Sequence, residues 1–139
     1  MLYLDTALIV AALTIEEATT RAQVLLADYA GEVLVVSAWV STEVAAALAV
    51  KVRNGSLTLE LRDEAERSYR KLGRSVGELR IEAEHYSRAA ELARDHRTGL
   101  RSGDALHLAI ALSSDAVLCT LDKRFAQACD FLGVPHQLL

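Results

Sequence analysis

The stretch Val33-Leu34-Val35-Val36 limits what this chain can become more than any other. Four aliphatic residues in succession, three of them β-branched, leave no polar face. Such a strand must be covered on both sides, the condition of a strand in a parallel sheet with helices above and below it. Other short runs share this character. Met1 to Leu4 ends on Asp5, and Ala116 to Thr120 (AVLCT) is another buried run. Leu79 to Ile81 reads as a brief strand, and Pro135 to Leu139 as a final edge strand.

Helical segments separate these runs. They are expected over Thr6 to Leu13, Ile15 to Ala30 with Leu25 and Leu26 facing inward, and Ser41 to Val52. Others span Leu59 to Leu72, Glu84 to Arg94, Ala105 to Leu112 and Lys123 to Leu132. Gly31, Asn54-Gly55-Ser56, Gly73 with Gly77, and Gly133 supply the stops. Arg97 to Ser102 reads as a basic, glycine-containing loop. The alternation predicts an α/β fold with a central, mainly parallel sheet. A length of 139 residues suits one domain, 1–139, and 52% hydrophobic content supplies its core.

The net charge of -4 gives no overall attraction to nucleic acid or to an anionic membrane. A nucleic-acid substrate would need a local basic patch or bridging cations. Cys119 and Cys129 have neither metal-site nor disulfide-framework spacing, so both read as small buried hydrophobes in a reducing cytosol. No signal-peptide pattern stands at the N-terminus, because Asp5 interrupts the first apolar stretch. No apolar run reaches the roughly 18–20 residues that span a bilayer. The expectation is a cytoplasmic protein without a membrane segment.

In open α/β sheets, ligands bind beyond the carboxyl ends of the strands. Asp5 ends the first strand, and Asp122 lies just past AVLCT. Glu43 falls in the first turn of the helix after VLVV. Asp104 falls in the first turn of the helix before AVLCT, and joins the others only if that helix starts at the same edge. Each acid alone has a structural reading. Glu43 and Asp104 suit a helix dipole, worth about 0.3–1 kcal/mol. Asp122 suits an N-cap or a turn, and Asp5 could cap the next helix with Thr6. Together the four would repel one another strongly, a conflict that cations resolve. Hard oxygen ligands select Mg²⁺ or Mn²⁺, ions that commonly serve phosphodiester hydrolysis.

The blocks YLDTALIV (Tyr3 to Val10), VVSAWVSTEVAAAL (Val35 to Leu48), LRSGDALHLAIAL (Leu100 to Leu112) and TLDKRFAQACDFLGV (Thr120 to Val134) resemble the PIN-domain family. More narrowly, they are similar to the VapC-type toxins of bacterial toxin–antitoxin pairs. The resemblance covers essentially the whole chain, although Ser56 to Arg80 carries no family signature. It implies about five parallel strands with helices on both faces, and a ribonuclease dependent on Mg²⁺ or Mn²⁺. Asp5, Glu43, Asp104 and Asp122 fall on the family's acidic metal-ligand positions, and Thr6 and Thr120 on its hydroxyl positions. Ala7 stands where many members have Ser. The implied reaction is in-line attack of activated water on phosphorus, leaving a 5′-phosphate and a 3′-hydroxyl. The implied partners are RNA, a VapB-like antitoxin and a second copy of the chain.

Several residues carry two readings. His107, three residues after Asp104, is either a partner for that acid or a helix-packing histidine with one satisfied nitrogen, and packing is the preferred expectation. Arg97, Arg101, Lys123 and Arg124 are either RNA-phosphate contacts or solvated surface charge. Trp39 stacks on a base or packs into a core or dimer contact, with packing preferred. The helix over Leu59 to Leu72 either packs on the core or docks a partner helix. Two other functions compete with the nuclease. A non-catalytic PIN-like module acting through protein partners would be marked by a missing acid, and none is missing. A receiver-like phosphoryl-transfer domain would need a second early acid beside Asp5, and none is there.

Overall fold

Leu2 and Leu4 face one side of the first strand and Tyr3 the other, and the division of the core follows from that alternation. The computed structural model of the chain describes residues 1–29 and 31–139. Strands β1 (Leu2–Leu4), β2 (Leu34–Ser37), β3 (Gly77–Leu79), β4 (Val117–Thr120) and β5 (His136–Leu138) form one sheet in the order β3-β2-β1-β4-β5. Every pairing among them is parallel. The fold is α/β, as the apolar strands require.

Helices cover both faces. Helices α1 (Thr6–Leu13), α2 (Thr19–Asp28), α3 (Ala38–Arg53) and α4 (Leu59–Leu72) close over Leu2, Leu4, Leu34, Val36 and Cys119. On the other face α5 (Ala83–Arg94), α6 (Ser102–Ser113) and α7 (Lys123–Leu132) cover Tyr3, Val35 and Leu118. Both cysteines are free and buried. Burial pushes the Cys119 thiol up to about 11 and the Cys129 thiol up to about 12, where both behave as hydrophobes. Among the described residues no helix is long and apolar enough to cross a membrane.

Four elements start two or more residues away from the sequence expectation. Helix α2 starts at Thr19, and Ile15 lies before it, 89% exposed; the expected end at Ala30 falls outside the described residues. Helix α3 starts at Ala38, three residues early, because the chain passes from the extended Ser37 straight into a helix. Helix α6 starts at Ser102, since the Asp104 carboxylate accepts the backbone N–H of Arg101 and closes the first turn. Strand β3 starts at Gly77, where a helix stop was expected. A Cβ there would lie 3.3 Å from Val35 Cγ1, so the missing side chain lets β3 approach β2. The expected left-handed cap at Gly133 is present, with φ of 66°.

Candidate functional site

Strands β1 and β4 are neighbours, but the chain leaves β1 towards β2 and leaves β4 towards β5. Those opposite departures open a crevice beyond their carboxyl ends. Asp5 immediately follows β1, and Asp122 follows Thr120 by two residues. Asp104 sits in the first turn of α6. Glu43 lies in the second turn of α3, because that helix begins earlier than expected, so a first-turn dipole role does not apply to it. The four carboxylates and Thr6 line one open cleft of about 500 Å³. A fifth acid, Glu16, stands at the same cleft and is paired with Lys51 at 3.0 Å.

Each of the four is held by one oxygen. Asp5 Oδ2 accepts the Thr120 hydroxyl at 2.6 Å. Glu43 Oε2 accepts from Thr6 Oγ1 at 2.5 Å and from His107 Nε2 at 2.6 Å. Asp104 Oδ2 accepts the Arg101 backbone N–H at 3.1 Å. Asp122 Oδ1 caps α7, accepting the N–H groups of Arg124 at 2.7 Å and Phe125 at 3.2 Å. The second oxygen of each carboxylate makes no hydrogen bond within the described residues. Asp5 is the N-cap of α1 by position, yet its side chain makes no capping bond, because it turns to Thr120 instead.

The electrostatics are in conflict. Burial raises the Asp5 pKa, Glu43 adds to the rise, and His107 and the Thr120 bond oppose it. Burial also raises Asp104, with repulsion from Asp5 and Asp122 behind it. Glu43 goes the other way. Burial opposes its ionisation, but the bonds from His107 and Thr6 outweigh that and hold its pKa below the ordinary value. A cation placed among these groups would relieve the strain on Asp5 and Asp104. Among the described residues no three His, Cys, Asp or Glu side chains stand close enough together to hold a metal ion. The donor chemistry nevertheless fits a hard divalent cation, with four carboxylate oxygens free of protein hydrogen bonds around one cleft.

Thr6 and Thr120 are both brought to the acids, as hydrogen-bond donors to Glu43 and Asp5. The expectation for His107 is corrected. It is buried with both ring nitrogens bonded, and its acidic partner is Glu43 on α3 rather than its helix neighbour Asp104. Trp39 packs against the core formed by α5, α6 and α7. Among the described residues its buried indole N–H meets no acceptor in hydrogen-bonding geometry, but it lies near enough to Glu43 to favour that group's charged form. The basic residues stay outside the cleft lining. Arg97 is bonded to Asp95 at 2.6 and 2.8 Å and lies 5.0 Å over the Phe131 ring. Arg101, Lys123 and Arg124 are exposed at the starts of α6 and α7.

Sequence reasoning missed Tyr3, Ser37, Gly103 and Glu16. A tyrosine inside a buried apolar strand was a signal, since its hydroxyl must find a partner. The other three gave no local cue.

A family model described as "PIN domain" matches residues 2–130. No curated protein sequence matches the chain. Among solved structures, VapC20 of Mycobacterium tuberculosis, described as a sarcin–ricin loop cleaving toxin, is similar with 19% identity and a TM-score of 0.72. That match covers 92% of this chain and 95% of the other. VapBC2 from Rickettsia felis, solved bound to a DNA fragment from its promoter, is 16% identical with a TM-score of 0.72, over 99% of this chain and 98% of the other. FitAcB from Neisseria gonorrhoeae is 20% identical with a TM-score of 0.71, over 98% and 96%.

Proposed function

This chain belongs to the PIN-domain family, and from that premise we propose that it is a metal-dependent endoribonuclease toxin of the VapC type. The observation that carries the reading is the cleft lined by four carboxylates, each fixed through one oxygen and without a hydrogen bond at the other among the described residues. Asp5, Glu43, Asp104 and Asp122 would hold Mg²⁺ or Mn²⁺. When bound, such a cation supplies Lewis acidity, which activates water and neutralises charge on the scissile phosphate.

The chain's own residues do the positioning. Thr120 holds Asp5 against β4, and Thr6 with His107 holds Glu43 towards β1. Asp104 and Asp122 are each tied to backbone N–H groups at the start of a helix, so neither can swing away without leaving those donors uncapped. Arg101, Lys123 and Arg124, at the starts of those helices, are the groups we assign to the RNA backbone. Arg97 would join them only by releasing Asp95. Similarity to VapBC complexes supports a VapB-like antitoxin as partner. We also read the protein as a cytoplasmic homodimer.

Purified wild-type protein and Asp104→Asn, offered the same RNA with Mg²⁺, test the reading. Cleavage is expected from the wild type, with a loss of about 100-fold or more in the variant, since losing even an outer partner of a metal ligand costs roughly ten- to a hundredfold. Equal cleavage by both would sink it. The spacing of the acids favours one other reading, a PIN domain that binds partners without catalysis. An absence of Mn²⁺ binding at millimolar concentration would favour that alternative.

A further inference from the structure

Behind Glu43 runs a chain of buried polar groups drawn from four other elements. His107 Nε2 on α6 lies 2.6 Å from Glu43 Oε2. His107 Nδ1 lies 2.8 Å from the Tyr3 hydroxyl on β1, and that hydroxyl lies 2.8 Å from Ser37 Oγ at the end of β2. Thr6, the first residue of α1, donates to the same Glu43 oxygen. Tyr3, Ser37 and His107 are each no more than 1% exposed. Ser37 occupies the N-cap of α3 but makes no side-chain cap, because its hydroxyl is turned to Tyr3.

The hydrogen on this imidazole can be placed by accounting for donors. An ionised carboxylate only accepts, so the atom facing Glu43 Oε2 must be a donor, which puts a hydrogen on His107 Nε2. The phenol and the serine hydroxyl behind it can each donate or accept, so the remaining nitrogen is satisfied in either order. Two donors, Thr6 and His107, therefore converge on one oxygen of Glu43 and leave Oε1 without a hydrogen bond within the described residues.

We infer that His107, supported by Tyr3 and Ser37, is a positioning residue that fixes Glu43 by its Nε2–H and presents the opposite carboxylate oxygen to a divalent cation. This deepens the nuclease reading and rests on it. Any buried histidine needs a partner at each ring nitrogen, but one that merely filled the core would have no need to take a carboxylate from the cleft as that partner. Outer partners that orient a ligand carboxylate change metal affinity by roughly ten- to a hundredfold when removed.

Two measurements on the full chain test the inference. In metal-free protein labelled with ¹⁵N, the expected signal is a slowly exchanging His107 Nε2–H proton, shifted downfield, that moves upfield in Glu43→Gln. An imidazole protonated only at Nδ1 would overturn the inference and leave the four acids as they are. In Mn²⁺ titrations by calorimetry, His107→Leu is expected to weaken binding by roughly ten- to a hundredfold, with most of the affinity restored in His107→Gln, which keeps an N–H donor. Tyr3→Phe removes one hydroxyl from the core and is expected to weaken binding in the same direction, which covers the case of a His107→Leu protein that does not fold. Unchanged affinity in a folded His107→Leu, or in Tyr3→Phe, would overturn the inference. Wild-type protein that shows the downfield proton but binds no Mn²⁺ would contradict the nuclease reading while the donor chain stands.

Discussion

A Cβ built on Gly103 would lie 2.6 Å from Glu43 Oε1 and 3.5 Å from the Trp39 indole nitrogen. The first turn of α6 thus forms the wall against which the free oxygen of Glu43 rests. Gly103→Ala sets helix preference against the site. Alanine is favoured over glycine in a helix interior by up to about 1 kcal/mol, but here its Cβ displaces Glu43 from the bonds of Thr6 and His107, so the melting temperature should not rise. Glu43 must move by a few tenths of an ångström or more, so RNA cleavage and Mn²⁺ affinity should fall tenfold or more. Thermal melts beside an activity assay check both halves. The acids themselves were legible because each stands where an apolar run stops. Their supports were not, since Glu43 and His107 are 64 positions apart and Tyr3 and His107 are 104 apart. No local pattern records such a pairing, and only the sheet order creates it.

Helix α7 shows what was legible at the scale of elements. Its start at Asp122 and its stop at Gly133 both follow from side-chain chemistry, a carboxylate that caps and a residue without Cβ at positive φ. Among the described residues nothing beyond its chain neighbours lies within 4 Å of a Cβ built at Gly133, so the cost of a side chain there comes from the backbone. Gly133→Ala should lose about 1 kcal/mol, read as a lower urea midpoint at unchanged slope, with cleavage unaffected. The α3 and β3 boundaries were harder to read. Strand β2 enters α3 with no loop residue to mark the change, and Gly77 looks like a helix stop although it serves strand packing. At Gly77 tertiary contact overrode a local punctuation signal, and at the start of α3 there was no such signal to read.

At the scale of the whole molecule, unbroken aliphatic strands announced a parallel sheet, but not its order. The sequence holds no mark that β1 and β4, over a hundred residues apart, are neighbours, and that adjacency makes the crevice. Bringing four acids there has a measurable consequence. Without a cation, Asp104 lies under repulsion from Asp5 and Asp122, so metal-free Asp104→Asn should melt above the metal-free wild type. Mg²⁺ should then raise the wild type, by about 2.7 kcal/mol at a hundredfold excess over its dissociation constant, and raise the variant much less. Differential scanning calorimetry with and without chelator checks the reversal. The central claim, that these carboxylates serve cation-assisted hydrolysis of RNA, is tested most directly by the ends of the cleaved strands. Wild-type protein with Mg²⁺ should leave 5′-phosphate and 3′-hydroxyl ends, and none when chelator is present. Fragments ending in 2′,3′-cyclic phosphate, produced equally well in chelator, would contradict the account.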